Sequence, residues 1–174
     1  ALIQKGHTAI GGIFQSDDMQ GHKRYEGFAA EMSQNGLAIK DDAALWYTTE
    51  DIPYMFGGAM DEVLLRRLEG VTGGVCYNHQ IAVCLWELLR RAGKAVPRDV
   101  SLVSVDNSAL ALSPAYDLTS FEYPALAVGQ QAANGLLQKL RGQTEHIRLR
   151  LAGHLEERSS ISRPLDCNAE CRNR

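Results

Sequence analysis

Val96-Pro97-Arg98-Asp99-Val100-Ser101-Leu102-Val103-Ser104-Val105-Asp106-Asn107-Ser108 is the stretch on which the fold of this chain turns. A proline-containing turn delivers the backbone into residues 100–105, all apolar or small, and the run stops on an acid and an amide. Central strands of a parallel sheet are covered on both faces and therefore read as unbroken apolar runs. Residues 100–105 are thus predicted to be such a strand, with Asp106 at its carboxyl end. In open α/β sheets ligands bind beyond the carboxyl ends of the strands. Asp106 is accordingly a candidate ligand-facing acceptor.

Outward from this strand the chain alternates. Residues 8–14 read as a short buried strand, followed by the polar loop Gln15-Ser16-Asp17-Asp18, in which Ser16 or Asp17 can cap a helix. In that helix Tyr25, Phe28, Ala29 and Met32 recur at the spacing of one buried face, and Gly36 supplies the stop. A second strand is predicted over 43–48, a helix over 55–68, a third strand over 73–77 ending at Asn78, and a helix over 80–91. Strands separated by helices imply parallel pairing. After Asp106 the rhythm changes: 109–117 has no helical period, 118–122 is β-prone, and Pro124 opens a helix over 125–140. Residues 147–151 and 155–158 are predicted to form a hairpin around Ala152-Gly153, and the chain from Ile161 onward to fray.

Composition narrows the function. The 174 residues, 45% hydrophobic and 22% charged, suffice for a core without disulfides or metals. A net charge of −3 without a basic face excludes a grip on nucleic acid by this chain itself. No apolar run approaches a membrane span and the start lacks a signal pattern, so a soluble, cytoplasmic protein is expected. Cys76 and Cys84 fall in predicted core elements and read as buried thiols. Cys167 and Cys171 form a C-x3-C pair that would need two further ligands to hold zinc, and none is nearby in sequence. No metal or cofactor is expected.

Polar groups fall where strands stop: Gln15 to Asp17, Asn78 and Asp106, with Arg24 in the first turns of the first helix near the same edge. Carboxylate and amide oxygens accept from sugar hydroxyls, arginine donates in a fixed fork, and an aromatic such as Trp46 or Tyr123 covers the apolar face of a sugar ring. Helix capping explains Asn78 and Asp106 equally well from spacing alone. Catalysis is the weaker reading. His79 could act as a base oriented by Asp106, but no nucleophile motif, P-loop or dinucleotide loop accompanies it.

Four motifs in this order and spacing resemble the effector-binding region of LacI/GalR-type transcriptional regulators: residues 10–28 (I-G-G-I-F-Q-S-D-D-M-Q-G-H-K-R-Y-E-G-F), Cys76-Tyr77-Asn78 with Ile81-Ala82, residues 96–103 running into Asp106, and Leu118-Thr119-Ser120. The likeness covers residues 8–158. Residues 14–24 are most similar to the arabinose-repressor branch, in which a LacI-type sensor is fused to a GntR-type DNA reader. The sequence departs from the pattern at His79 (usually Asp), Ser104-Val105 (usually Gly-Tyr) and Asn107 (usually a second Asp).

The resemblance implies an α/β fold of the type I periplasmic-binding-protein kind, with a parallel sheet sandwiched by helices and a sugar held between two lobes. It implies that residues 8–118 are the C-terminal lobe, that 119–143 supply a strand and helix normally belonging to the N-terminal lobe, that 144–160 form the terminal hairpin and that 161–174 are tail. A DNA-binding domain would be absent from this chain. By position, Arg24, Asn78 and Asp106 would bind sugar hydroxyls, Tyr123 would stand near the hinge, and Gln15 and Tyr47 would line the cleft. The implied protein is a non-enzymatic repressor, homodimeric through the faces of helices 22–35 and 55–69. It would respond to L-arabinose or a related sugar and meet DNA only through the missing domain. A periplasmic sugar-binding protein of an ABC transporter is the alternative.

Overall fold

The structure is a computed structural model that describes residues 1–143 and 146–165. Its centre is a six-stranded sheet in the order β2-β1-β3-β4-β5-β6. The strands are β1 (Ile10–Gln15), β2 (Ala44–Tyr47), β3 (Gly73–Cys76), β4 (Ser101–Val105), β5 (Thr119–Glu122) and β6 (His154–Glu156). The first five are parallel, and only β6 runs antiparallel, against β5. The opening stretch is therefore an interior strand, with β3 on one side and β5 on the other.

Both faces of the sheet are covered, which is why β1 and β4 read as continuous apolar runs. One face carries Ile13, Leu45, Tyr47, Cys76 and Leu102 under α3 (Met60–Arg67) and α4 (His79–Arg91). The other carries Ile10 and Phe14 under α1 (Met19–Gln34), with Phe28 and Met32 buried and Tyr25 packed beside them. The predicted face of α1 is thus the observed one. Gly21 sets its closeness: a Cβ there would stand 1.8 Å from the Gln15 carbonyl oxygen, so only glycine lets the first turn of α1 lie on the end of β1. The buried Cys76 thiol is pushed up to about 12 by desolvation and is inert, while Cys84 is half-buried.

Three expectations need correction. The predicted helix 55–68 is two pieces, α2 (Ile52–Met55) and α3, because Gly57 adopts φ +93° and breaks the run. The predicted hairpin does not form. Residues 146–153 are not a strand, since Ile147, Leu149 and Leu151 turn towards α5 (Ala125–Leu140), and β6 pairs with β5 instead. β5 hydrogen-bonds to β4 along Val103–Thr119, Ser104–Ser120 and Val105–Phe121. Finally, the chain does not fray at Ile161. That residue is buried beside Leu2 and Phe14, and Ser160 accepts from Thr119 N at 2.7 Å and donates to the Leu102 carbonyl at 2.6 Å. Cys167, Cys171 and the rest of 166–174 lie outside the described residues, as do 144–145.

The first seven residues, which carry no recognisable period, add Leu2 and His7 to the buried interior. His7 is buried, its Nε2 donating to the Ser162 carbonyl and its Nδ1 accepting from the Thr72 hydroxyl, both at 2.9 Å. It ties both ends of the described chain to the start of β3.

Candidate functional site

The carboxyl ends of β1, β3, β4 and β5 lie along one edge because the strands are parallel. Three of the predicted residues meet there. Arg24, in the second turn of α1, brings NH2 to 3.7 Å from the Asp106 carboxylate, and its side chain is only 12% exposed. Tyr123, just beyond β5, borders a hollow shared with Met19, Gln20, Lys23 and Arg24. It also borders a shallow concavity of about 560 Å³ that contains Asp106, Asn107 and Glu122. Tyr123 thus joins the arginine side of the edge to the acid side.

Local backbone chemistry fixes each of these groups. Asp106 has φ +73°, in the left-handed region that Asp tolerates better than most residues, and its N–H donates to the Phe121 carbonyl at 3.1 Å. β4 therefore ends on a turned residue whose carboxylate is 39% exposed towards the crevice. Asn107 donates to Glu122 at 2.8 Å and accepts from the Ser120 hydroxyl at 3.0 Å, locking the segment after Asp106 onto β5.

Arg24 is held from below. Its NH1 donates to the Tyr77 carbonyl at 2.5 Å, NH2 donates to Gln20 Oε1 at 3.0 Å, and the guanidinium carbon sits 4.3 Å from the centre of the Tyr77 ring. Its Nε–H is buried with no partner among the described residues. The Tyr77 hydroxyl donates to the carboxylate of Asp18, and burial together with that bond pushes the phenol up to about 12. Asp18, held below the usual carboxylate range chiefly by this bond, also accepts from Gln20 N at 3.0 Å. It is the cap of α1 in place of the predicted Ser16 or Asp17.

The remaining predictions resolve differently. Asn78 caps α4, its Oδ1 accepting from Ile81 N at 2.9 Å, so capping occupies its oxygen and the amide Nδ2 is left as its ligand-capable donor. Gln15 is engaged by its neighbours, donating to Asp17 and Thr49 at 3.0 Å and accepting from the Tyr47 hydroxyl at 3.3 Å. Tyr47 is only 3% exposed, which places it behind Gln15 instead of on the crevice wall. Burial raises its phenol strongly. Trp46 packs towards α1, its ring tilted against His22 and Tyr25 at ring separations of 5.3 and 5.0 Å. Among the described residues no hydrogen bond or ion pair joins His79 to Asp106, and the His79 Nδ1 is buried without a partner.

Tyr77, Asp18 and Gln20 were not predicted as site residues. An aromatic at the last position of a buried strand reads as core, and nothing local reveals that its hydroxyl reaches a helix cap. Glu122, which lines the concavity beside Asp106, lies with His154 and Glu156 so that their ligand atoms are within 4.8 Å of one another, but His154 Nε2 already pairs with Glu156 at 2.7 Å at the surface.

Residues 1–161 match the model of the periplasmic binding protein-like domain family. An arabinose metabolism transcriptional repressor of Geobacillus stearothermophilus is 35% identical over 140 residues, covering 80% of this chain and 38% of that protein. The ribose operon repressor of Escherichia coli is 32% identical over 165 residues, covering 91% of this chain and 48% of that protein. In structure the chain resembles the regulator CelR in its cellobiose complex, with a TM-score of 0.80 at 27% identity, covering 91% of this chain and 48% of CelR. A LacI-family sugar-binding regulator from Escherichia coli gives the same TM-score at 26% identity, covering 94% of this chain and 58% of the other. The chain spans less than half the length of these two curated relatives. With a family model over nearly its whole described length, the chain belongs to the periplasmic binding protein-like domain family, in the form carried by LacI/GalR-type regulators.

Proposed function

We propose that this chain is the sugar-sensing half of a transcriptional repressor's effector domain and that it carries one wall of the ligand cleft. The observation that carries this is the pairing of Arg24 and Asp106 at the strand ends. A guanidinium with a buried, unpartnered Nε–H faces a turned-out carboxylate across 3.7 Å, so a donor fork and an acceptor are offered side by side. Vicinal hydroxyls present the matching pair of acceptor and donor. Tyr123 and the Asn78 amide stand within the same edge as secondary contacts. A pentose of the arabinose type is the preferred ligand, supported by the name of the Geobacillus relative.

The opposite wall is the second lobe. α5 supports this division, since Leu126, Leu136 and Leu140 are 77%, 61% and 75% exposed and none of its residues is buried. An apolar helix so exposed is built to be covered. Sugar bound across the two lobes favours one lobe orientation over the other, by no more than its difference in affinity for the two. A homodimer then passes that orientation to its paired DNA readers and changes their fit to the half-sites. Catalysis has no place in this scheme.

The test is operator binding by full-length protein, followed by fluorescence anisotropy with and without L-arabinose, D-ribose and D-galactose. At least one sugar is expected to weaken operator binding about tenfold or more, a coupling of about 1.4 kcal/mol. Absence of operator binding, together with no effect of any sugar on the protein's melting temperature, contradicts the proposal.

A further inference from the structure

We propose that Tyr77 is a positioning residue that holds Arg24 in its cleft-facing conformation and so sets how tightly the strand-end site takes a hydroxyl-rich ligand. The ligand rests on the sugar-sensing reading, whereas the geometry does not.

An arginine in the second turn of a helix that lies over a sheet edge has many rotamers open to it. Freezing that freedom at the moment of binding weakens affinity, and freezing it beforehand does not. Three parts of Tyr77 act on Arg24. The ring lies 4.3 Å beneath the guanidinium carbon, where the negative face of the π system attracts the cation. The carbonyl accepts from NH1 at 2.5 Å. The hydroxyl bonds Asp18, which caps the helix that carries Arg24, so the same side chain also steadies the base of the arginine. Gln20, one turn before Arg24, takes NH2. What is left of the guanidinium's five donors is the buried Nε–H, the second Nη1 proton and the second Nη2 proton, the last nitrogen being the one 3.7 Å from Asp106.

Tyr77 is itself 7% exposed and lies under the arginine, so it acts without lining the crevice. Its ring also meets Tyr47 edge-on at 6.2 Å, which fixes its tilt from the β2 side. A chain of aromatic packing and hydrogen bonding thus runs from the buried Tyr47 through Tyr77 to the guanidinium.

The experiment uses full-length protein with ¹⁵N-labelled arginine. The Arg24 Nε–H resonance is assigned by its loss in Arg24→Lys, and affinity for L-arabinose, D-ribose and D-galactose is measured by calorimetry. In the unsubstituted protein this resonance is expected upfield of the other arginines, because the guanidinium carbon bonded to Nε lies over an aromatic face. Tyr77→Leu should return it to the ordinary range and weaken binding about tenfold, the upper end of the cost of ordering one rotamer-rich side chain. Tyr77→Phe, which keeps ring and carbonyl, should retain the shift and lose less than about threefold. An ordinary Arg24 resonance in the unsubstituted protein, or sugar binding by Tyr77→Leu equal to that of the unsubstituted protein, overturns the proposal. If Tyr77→Leu does not fold, the unsubstituted resonance and Tyr77→Phe still decide. If no sugar binds but the resonance is upfield and moves as described, the sugar-sensing reading falls and the positioning of Arg24 stands. Sugar binding with an ordinary resonance gives the reverse.

Discussion

Helices α4 and α5 are both amphipathic by sequence, yet one is sealed into the lobe and the other lies open. α4 buries Ile81, Ala82, Leu85, Leu88 and Leu89 against β3 and β4. α5 is longer, at 16 residues against 13, and buries none. Its apolar side chains border the exposed Ile147, Leu149 and Leu151. Helical stability in proteins comes mostly from packing an apolar face, not from propensity. The two helices therefore differ in whether their apolar face is packed within the described residues, and α5 is the face that the second lobe proposed above would cover.

The largest effect that would sharpen this contrast is at Leu85, which is 2% exposed. Leu85→Ala should cost about 2–5 kcal/mol of unfolding free energy, measured by urea titration of the 174-residue chain. The matched change on the open helix, Leu136→Ala, should stay within about 0.5 kcal/mol in the same chain, because it removes a side chain already in water. In full-length protein that second value should rise above about 1 kcal/mol as the face becomes covered. Equal costs at the two positions in the 174-residue chain would break the comparison.

A smaller effect separates the sealed side by pH. Burial lowers the pKa of His7 below its ordinary value, outweighing the bond to Ser162. The folded state thus prefers neutral His7, the form that donates through Nε2 and accepts at Nδ1. The stability this contributes is fully present above the unfolded pKa of about 6.5 and is lost as pH falls towards and through the lowered folded value. Melting temperature should therefore drop between roughly pH 7 and pH 5. His7→Gln, which removes the titrating group, should flatten that part of the profile, and an unchanged profile would exclude the role.

How far the sequence could be read follows the same division. β1, β3, β4 and α4 were legible because their partners lie within the chain and leave local marks: unbroken apolar runs, a 3.6-residue period, an Asn cap. The errors fall where structure depends on distant contacts. The 147–151 run alternates like a strand but turns to α5, and Ser160 to Ser162, polar in sequence, are drawn in by hydrogen bonds to Leu102, Thr119 and Ser101. At the site, Arg24, Asp106 and Tyr123 can be read from sequence to one edge, since parallel pairing alone brings strand ends together. The contact of Tyr77 with Arg24 leaves no local mark, because it depends on which helix passes over the ring. Tyr47 and Gln15 were named as cleft residues on position, yet their hydrogen bonds turn them towards each other.

The central claim is that Asp106 is a hydroxyl acceptor at the end of the strand that organises the sheet. It is tested most directly by melting full-length protein with increasing L-arabinose and D-ribose, alongside Asp106→Asn and Asp106→Ala. Sugar at a hundred times its dissociation constant should stabilise the unsubstituted protein by about 2.7 kcal/mol. Both variants should keep their fold without sugar; Asn tolerates the left-handed backbone at this position, and Ala should lose about 1–2 kcal/mol to strain. Asp106→Ala should gain no stability from sugar at that concentration, and Asp106→Asn, which keeps one amide acceptor, should gain less than the unsubstituted protein. A sugar-induced rise in Asp106→Ala equal to that of the unsubstituted protein would contradict the role assigned to Asp106.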